Sequence, residues 1–196
     1  MARGIFFLVA GPAGVGKTTL LKRLVAEEAG LVKAVSATAR QPRSGEEDGV
    51  SYFFWDEARI KAAVDRGEFL EHAFVHGKLY GTPARFVEEK LSLGVDVVKD
   101  IDVQGVEQIR RLERFRYPAS VAIFLLPPSR DELLRRMQGR GTDERRSVEL
   151  RLKNAEAEMA RIGEFDYQIV NDSLDNAFAQ LKAIRTAEHC RIRTNL

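Results

Sequence analysis

Residues 11–18 read GPAGVGKT, and no other stretch restricts what this chain can fold into so tightly. It satisfies G-x-x-x-x-G-K-[ST], the loop whose backbone N–H groups wrap the phosphates of a nucleoside triphosphate. The run before it, Ile5-Phe6-Phe7-Leu8-Val9-Ala10, is unbroken and apolar, as suits a strand covered on both faces. Behind it, TLLKRLV at 19–25 repeats apolar side chains at helical spacing. Strand, glycine loop and helix are the setting this motif needs, because the helix N-terminus adds partial positive charge to the ring of N–H donors. Gly11, Pro12, Ala13, Gly14, Val15, Gly16, Lys17, Thr18 and Thr19 are therefore the expected ATP-binding residues. Lys17 is placed to reach the β- and γ-phosphates and Thr18 to ligate Mg²⁺. The plainer alternative, a glycine-rich turn before a helix, requires neither the Lys-Thr pair nor the apolar strand.

Strand and helix signals alternate along the rest of the chain. Strands are expected at 31–36, 51–55, 68–75, 78–80, 95–101, 119–125 and 167–171. Helices are expected at 57–66, capped by Asp56 and ended by Gly67, and after Thr82 as N-cap with Pro83 at the first position. Further helices are expected at 104–114, at 130–138 behind Ser129, at 144–162 and at 174–185. His76-Gly77 and residues 139–143 read as turns. Residues 37–50 lack periodicity and carry Arg40, Arg43, Glu46 and Glu47 between Pro42, Gly45 and Gly49, so they read as a functional loop. The pattern predicts one α/β domain with a parallel core sheet and helices on both faces. Its core takes in about 1–36, 93–128 and 163–196, with an inserted mixed lobe at about 37–92 and a small helical lid at about 129–162. Such sheets bind ligands at the carboxyl ends of their strands, where the phosphate loop, Ser36, Asp102 and the arginine-rich segment after Pro128 all fall.

A net charge of +2, from 31 basic and 29 acidic residues, is too balanced for a protein that coats nucleic acid. No apolar run is long enough to span a membrane, and no signal peptide precedes the first strand. The single cysteine, Cys190, cannot form an internal disulfide, which fits a reducing cytoplasm. The three histidines, His72, His76 and His189, lack the surroundings of a nucleophilic triad, and no metal-ligand spacing is present. That absence is informative. If the acceptor is a phosphate monoester, it loses its second proton at a pKa of about 6, so at neutral pH it is already a nucleophile and needs no general base. Catalysis then reduces to alignment and neutralisation of negative charge. Arg40 and Arg43 form one suitable group; Arg136, Arg140 and Arg151 form another, whose plain alternative is a solvated helix face.

The chain resembles the guanylate kinase family over about 6–174. The motifs that carry the resemblance are GPAGVGKT at 11–18, SATARQPRSGEEDGVSYFF at 36–54 and FLEHAFVHGKLYGTP at 69–83. DIDVQG at 100–105, RRMQGRGTD at 135–143 and FDYQIVND at 165–172 complete the set. The resemblance implies a P-loop nucleoside monophosphate kinase fold and ATP-dependent phosphorylation of GMP, with dGMP as a second acceptor. It implies that Arg40, Arg43, Tyr52 and Tyr80 hold the GMP phosphate, with Glu46 orienting the arginines. Ser36, Glu71, Thr82 and Asp102 would read guanine. Asp100 would help Thr18 hold hydrated Mg²⁺, while Arg136, Arg140 and Arg151 close over the ATP phosphates. Lys17, Arg40, Arg136, Arg140 and Arg151 form the implied catalytic set. Asn171 lies in a matching run near the ATP side without an assigned role.

Two positions depart from the family pattern. Thr38-Ala39-Arg40 replaces the usual Thr-Thr-Arg, and Lys99 stands where the family generally has an apolar residue. A lysine in a core strand is costly unless it snorkels or finds a carboxylate, and from there it could perturb Asp100. The sequence leaves open a kinase of a phosphorylated sugar such as ribose 1,5-bisphosphate. Ser36, Glu71 and Thr82 speak against that reading. It also leaves open a noncatalytic scaffold domain, which the intact Lys17 and Thr18 oppose. Monomer and homodimer are equally compatible with it.

Overall fold

The computed structural model describes residues 3–75, 77–115, 119–138 and 145–192. His76, the turn expected over 139–143 and Arg140 within it lie outside them. Strands are β1 (Phe6–Ala10), β2 (Leu31–Lys33), β3 (Ala37–Thr38), β4 (Phe53–Phe54), β5 (Phe69–Val75), β6 (Lys78–Pro83), β7 (Asp96–Asp100), β8 (Ser120–Leu126) and β9 (Tyr167–Val170). Helices are α1 (Lys17–Glu27), α2 (Glu57–Asp65), α3 (Ala84–Ser92), α4 (Val103–Arg111), α5 (Arg130–Gln138), α6 (Arg145–Met159) and α7 (Leu174–Cys190). One sheet has the order β2-β7-β1-β8-β9; the second is mixed, with the order β4-β3-β6-β5. In the first, β2 runs parallel to β7 with Leu31 opposite Asp96, and β8 parallel to β9 with Ile123 opposite Tyr167. The α/β class and the additional mixed sheet agree with the sequence pattern.

The chain divides into two compact units, one of Met1–Phe6, Gly30–Lys99 and Gln104–Ser120, the other of Phe7–Ala29, Asp100–Val103 and Val121–Leu196. The first has a small core of its own. Ala37, Ala63 and Phe69 are buried, with Phe53, Trp55 and Val64 packed against them. The Trp55 and Phe69 rings stack at 5.8 Å. Gly81 lets β6 run beneath that cluster, since a Cβ there would meet the Phe69 ring at 2.7 Å. Asp56 caps α2 by accepting the Arg59 N–H at 2.7 Å. Buried Asp96 at the start of β7 accepts the Ile5 N–H at 2.8 Å.

The second unit buries Leu20, Leu21 and Leu24 on α1. Arg23 lies 4.3 Å over the ring of Phe178 on α7. Leu133 and Met137 on α5 bury Leu152 and Ala155 on α6. Ser129 caps α5, its hydroxyl accepting the Glu132 N–H at 3.1 Å. Phe124 meets Phe165 edge-on at 5.0 Å.

Three local expectations are corrected. The strand expected at 31–36 ends at Lys33, and Ala37–Thr38 inside the supposed loop is a strand of the mixed sheet, Ala37 facing both Gly81 and Phe53. Thr82 does not cap α3. Pro83 occupies the cap position without a side-chain bond, and the Thr82 hydroxyl donates to Glu71 instead. The last helix continues to Cys190 because residues 186–190 contain no breaker and fully buried Glu188 accepts the Tyr167 hydroxyl at 2.6 Å.

Replacing Phe69 removes the ring around which the small core of the first unit is assembled. Phe69→Ala is expected to destabilise the protein by about 3 kcal/mol, the low end for a buried phenylalanine. A lower urea midpoint than wild type is the measurement that checks it.

Candidate active site

Within the second unit the phosphate loop is shaped by its glycines and held from outside. Gly14 and Gly16 have φ of 86° and 104°, a left-handed conformation that side chains other than glycine adopt at a cost. Gly16 is the N-cap of α1, so Lys17 and Thr18 open the helix. Lys17 Nζ donates to the Gly11 carbonyl at 2.5 Å and to that of Pro12 at 3.3 Å, so its ammonium lies against the loop. Thr18 Oγ1 lies 3.5 Å from Asp100 Oδ2, at the end of β7. Two hard oxygen donors side by side next to a phosphate cradle suit Mg²⁺, which keeps several waters and takes only one or two protein ligands.

Asn171, to which the sequence gives no role, is the outer clamp of this loop. It is buried, and its Nδ2 donates to the Val15 carbonyl at 2.7 Å. A Cβ on Gly16 would lie 2.5 Å from that nitrogen. Arg136 on α5 reaches the same Val15 carbonyl at 3.4 Å and the Asn171 carbonyl at 3.2 Å, while its Nε donates to Glu132 at 2.7 Å. Glu132 accepts from Arg135 as well, and the two guanidiniums hold its carboxyl down to about 2. Arg136, expected over the triphosphate, is thus half-buried against the loop's own backbone. Arg151 lies half-buried on α6. Asp102 is exposed, directly before α4.

Glu158 on α6 is a second residue that the sequence did not single out. Burial raises its carboxyl above the ordinary range; the charge of Lys17 opposes that shift and the charge of Asp102 reinforces it. It therefore shares the electrostatic field of the phosphate-loop lysine. A glutamate in a helix as charged as α6 carries no sequence signal separating it from a solvated face.

The first unit gathers the other predicted residues. Arg40 and Glu46 form a bidentate pair at 2.7 and 2.8 Å. Arg40 also donates from Nε to the Tyr80 hydroxyl at 3.2 Å and from NH1 to the Gln41 carbonyl at 2.8 Å. Its guanidinium lies 5.2 Å over the Tyr52 ring, and the Tyr52 and Tyr80 rings meet edge-on at 5.8 Å. Glu46 further accepts the backbone N–H of Arg43, whose side chain is exposed. Thr82 Oγ1 donates to Glu71 Oε1 at 2.5 Å, the hydroxyl fully buried and the carboxylate half-buried. Ser36 is buried, and Lys99 donates to its Oγ at 2.5 Å. The structure thus brings together Arg40, Glu46, Tyr52 and Tyr80, pairs Glu71 with Thr82, and gives Ser36 a lysine partner, Lys99. Among the described residues no three His, Cys, Asp or Glu side chains cluster to hold a metal ion.

Known proteins are similar to this chain over most of its length. The guanylate kinase family model matches residues 4–188. The guanylate kinase of Dechloromonas aromatica is 44% identical over 92% of this chain and 88% of its own. That of Escherichia coli K12 is 43% identical over 98% of this chain and 92% of its own. The crystal structure of guanylate kinase from Anaplasma phagocytophilum superposes with a TM-score of 0.73 at 31% identity, covering 97% of this chain and 89% of that one.

The Arg40–Glu46 pair carries a pH signature. Arg40 first, and the Arg43 N–H second, hold the Glu46 carboxyl at about 2 against an ordinary value of 4.5. A folded pKa below the unfolded one gives stability that is complete above the ordinary value and lost as pH falls toward about 2. Melting temperature should therefore decline from pH 4.5 downward, and Glu46→Gln should flatten part of that decline. Parallel melting curves of the two proteins between pH 2 and 7 would decide it, superimposable slopes counting against the pair.

Proposed function

The chain belongs to the guanylate kinase family, and we propose that the residues described above carry that family's reaction here. It is an ATP-dependent enzyme that phosphorylates GMP to GDP in purine nucleotide metabolism. dGMP, which differs only at the ribose, is the expected second acceptor. The observation that carries the mechanistic reading is the phosphate loop with Lys17 in its cradle and Thr18 beside Asp100.

The GMP phosphate, with its second pKa of about 6, presents an anionic oxygen at neutral pH. That oxygen forms a bond to the γ-phosphorus of ATP in line with the breaking bond to the β–γ bridging oxygen, and ADP leaves. No residue has to remove a proton. Residues 11–19 bind the triphosphate, and Lys17 follows the charge that develops on the β- and γ-oxygens. Thr18 and Asp100 would hold Mg²⁺, which would supply charge neutralisation at the phosphates. Arg136, Arg140 and Arg151 add positive charge on the ATP side. Arg40, Arg43, Tyr52 and Tyr80 hold the GMP phosphate, with Glu46 fixing the fork of Arg40. Ser36, Glu71, Thr82 and Asp102 select guanine. The division into a core, an acceptor lobe at about 37–92 and a lid at about 129–162 belongs to this reading, as do a cytoplasmic location and a monomer or homodimer. Among the described residues no helix is long and apolar enough to cross a membrane.

Lys17→Met should lower kcat by about 100-fold or more in a folded protein, the loss expected for one oriented electrostatic donor. A coupled assay with GMP, dGMP, AMP, UMP and ribose 1,5-bisphosphate as acceptors measures this and the acceptor preference together; near-normal turnover by Lys17→Met would remove the phosphate-loop assignment.

Guanine presents N1–H and the 2-amino group as adjacent donors, and an ionised carboxylate accepts both. Thr82 already donates to Oε1 of Glu71, which leaves Oε2 and the second lone pair of Oε1 for the base. Glu71→Gln replaces an acceptor with a donor and should cut kcat/KM for GMP about 100-fold, with KM for ATP nearly constant. Wild-type GMP kinetics in folded Glu71→Gln would show that guanine is read elsewhere.

A further inference from the structure

We propose that Lys99 is a specificity-determining residue that fixes Ser36 as a hydrogen-bond donor and so selects a purine with an acceptor at position 6. The inference rests on the reading of Ser36 as a guanine contact. Lys99 is 8% exposed on β7, Ser36 is 9% exposed, and Nζ lies 2.5 Å from Oγ. The Ser36 backbone is pinned as well, its carbonyl accepting the Phe53 N–H at 2.9 Å.

The two groups have unequal hydrogen-bonding capacity. An ammonium has three donors and no acceptor, whereas a hydroxyl has one donor and two acceptor lone pairs. Ser36 Oγ must therefore accept from Lys99, and its own proton is driven away from the cation. A hydroxyl that accepts from a charged donor is also polarised into a stronger donor itself. One proton and one lone pair remain, and the cation turns the proton toward an incoming acceptor. At position 6 guanine offers an acceptor, O6, and adenine a donor, the 6-amino group, which would meet the Ser36 proton donor to donor; N7 is an acceptor in both. Glu71 reads the N1–H and 2-amino donors, so the Lys99–Ser36 pair examines the neighbouring position 6 of the same base. The two tests are chemically independent, and a base must satisfy both.

The experiment compares GMP with 6-thio-GMP, which keeps N1–H and the 2-amino group but replaces O6 with a weakly accepting sulfur. Lys99→Met is expected to lower kcat/KM for GMP by about tenfold or more while 6-thio-GMP loses much less, so the preference for GMP shrinks. KM for ATP should hold, and Lys99→Arg, which restores a charged donor, should recover part of the preference. Adding Ser36→Ala to Lys99→Met should cost little more, since the two residues act as one unit. A folded Lys99→Met enzyme with an unchanged ratio of GMP to 6-thio-GMP activity overturns the proposal. If the methionine variant does not fold, Lys99→Leu, which also removes every donor, decides by the same ratio. A wild-type enzyme that transfers no phosphate to GMP would instead overturn the underlying functional reading.

Discussion

The carbonyl oxygen of Val15 is the fixed point of the glycine loop at residues 11–18. Asn171 Nδ2 and Arg136 NH1 both donate to it, from the end of β9 and from α5. Asn171 is itself anchored, its N–H donating to the Leu126 carbonyl at 2.8 Å at the end of β8. The bond explains why Gly16 has to be glycine twice over. Its φ of 104° disfavours a side chain, and a Cβ would strike the Asn171 amide. With the Val15 carbonyl held outward, the chain turns at Gly16 and begins α1 at Lys17. A single buried hydrogen bond contributes only about 1 kcal/mol to stability. Its larger effect is positional, because a displacement of about 1 Å at a reacting centre can cost about 100-fold in rate.

The other unit, which holds Arg40 and Glu71, follows the same logic with charged groups. Glu46 takes two N–H groups of Arg40 and the backbone N–H of Arg43, which fixes both the plane of one arginine and the start of the other. Thr82 immobilises Glu71 across the β5–β6 pair. The polar side chains are thus oriented by their neighbours, and that ordering does not have to be supplied by substrate binding.

Legibility in the sequence followed the range of the interactions. The phosphate loop, the apolar strands and the caps at Asp56 and Ser129 were readable because each depends on residues within a few positions. Thr82 was misread for the same reason. Its position before Pro83 is a sound local capping signal, but the hydroxyl is claimed by Glu71, eleven residues away in sequence. Ala37–Thr38 is too short for a periodic signal; pairing with β4 and β6 makes it a strand. Asn171 and Glu158 act on residues more than a hundred positions away, and nothing in their neighbourhoods announces it. Lys99 stood out as an anomaly, but its hydroxyl partner 63 positions earlier did not.

Lys99–Ser36 and Arg40–Tyr80 are two instances of one device. In each, a cation with donors only is bonded to a hydroxyl oxygen, at 2.5 Å and 3.2 Å. The hydroxyl has then accepted its bond and has a proton left to give. Arg40 further engages Glu46 twice and Gln41 once, so its positive charge is partly neutralised and its orientation fixed, while Tyr80 extends its donor character outward. Direct arginine contact would add charge attraction without discriminating among anions. A cation-loaded hydroxyl instead recognises an acceptor at a defined point. On the reading proposed above, Tyr80 would meet a phosphate oxygen and Ser36 a purine carbonyl. At both hydroxyls the proton is the group turned away from the cation, so a ligand that presents an acceptor there is met by a donor.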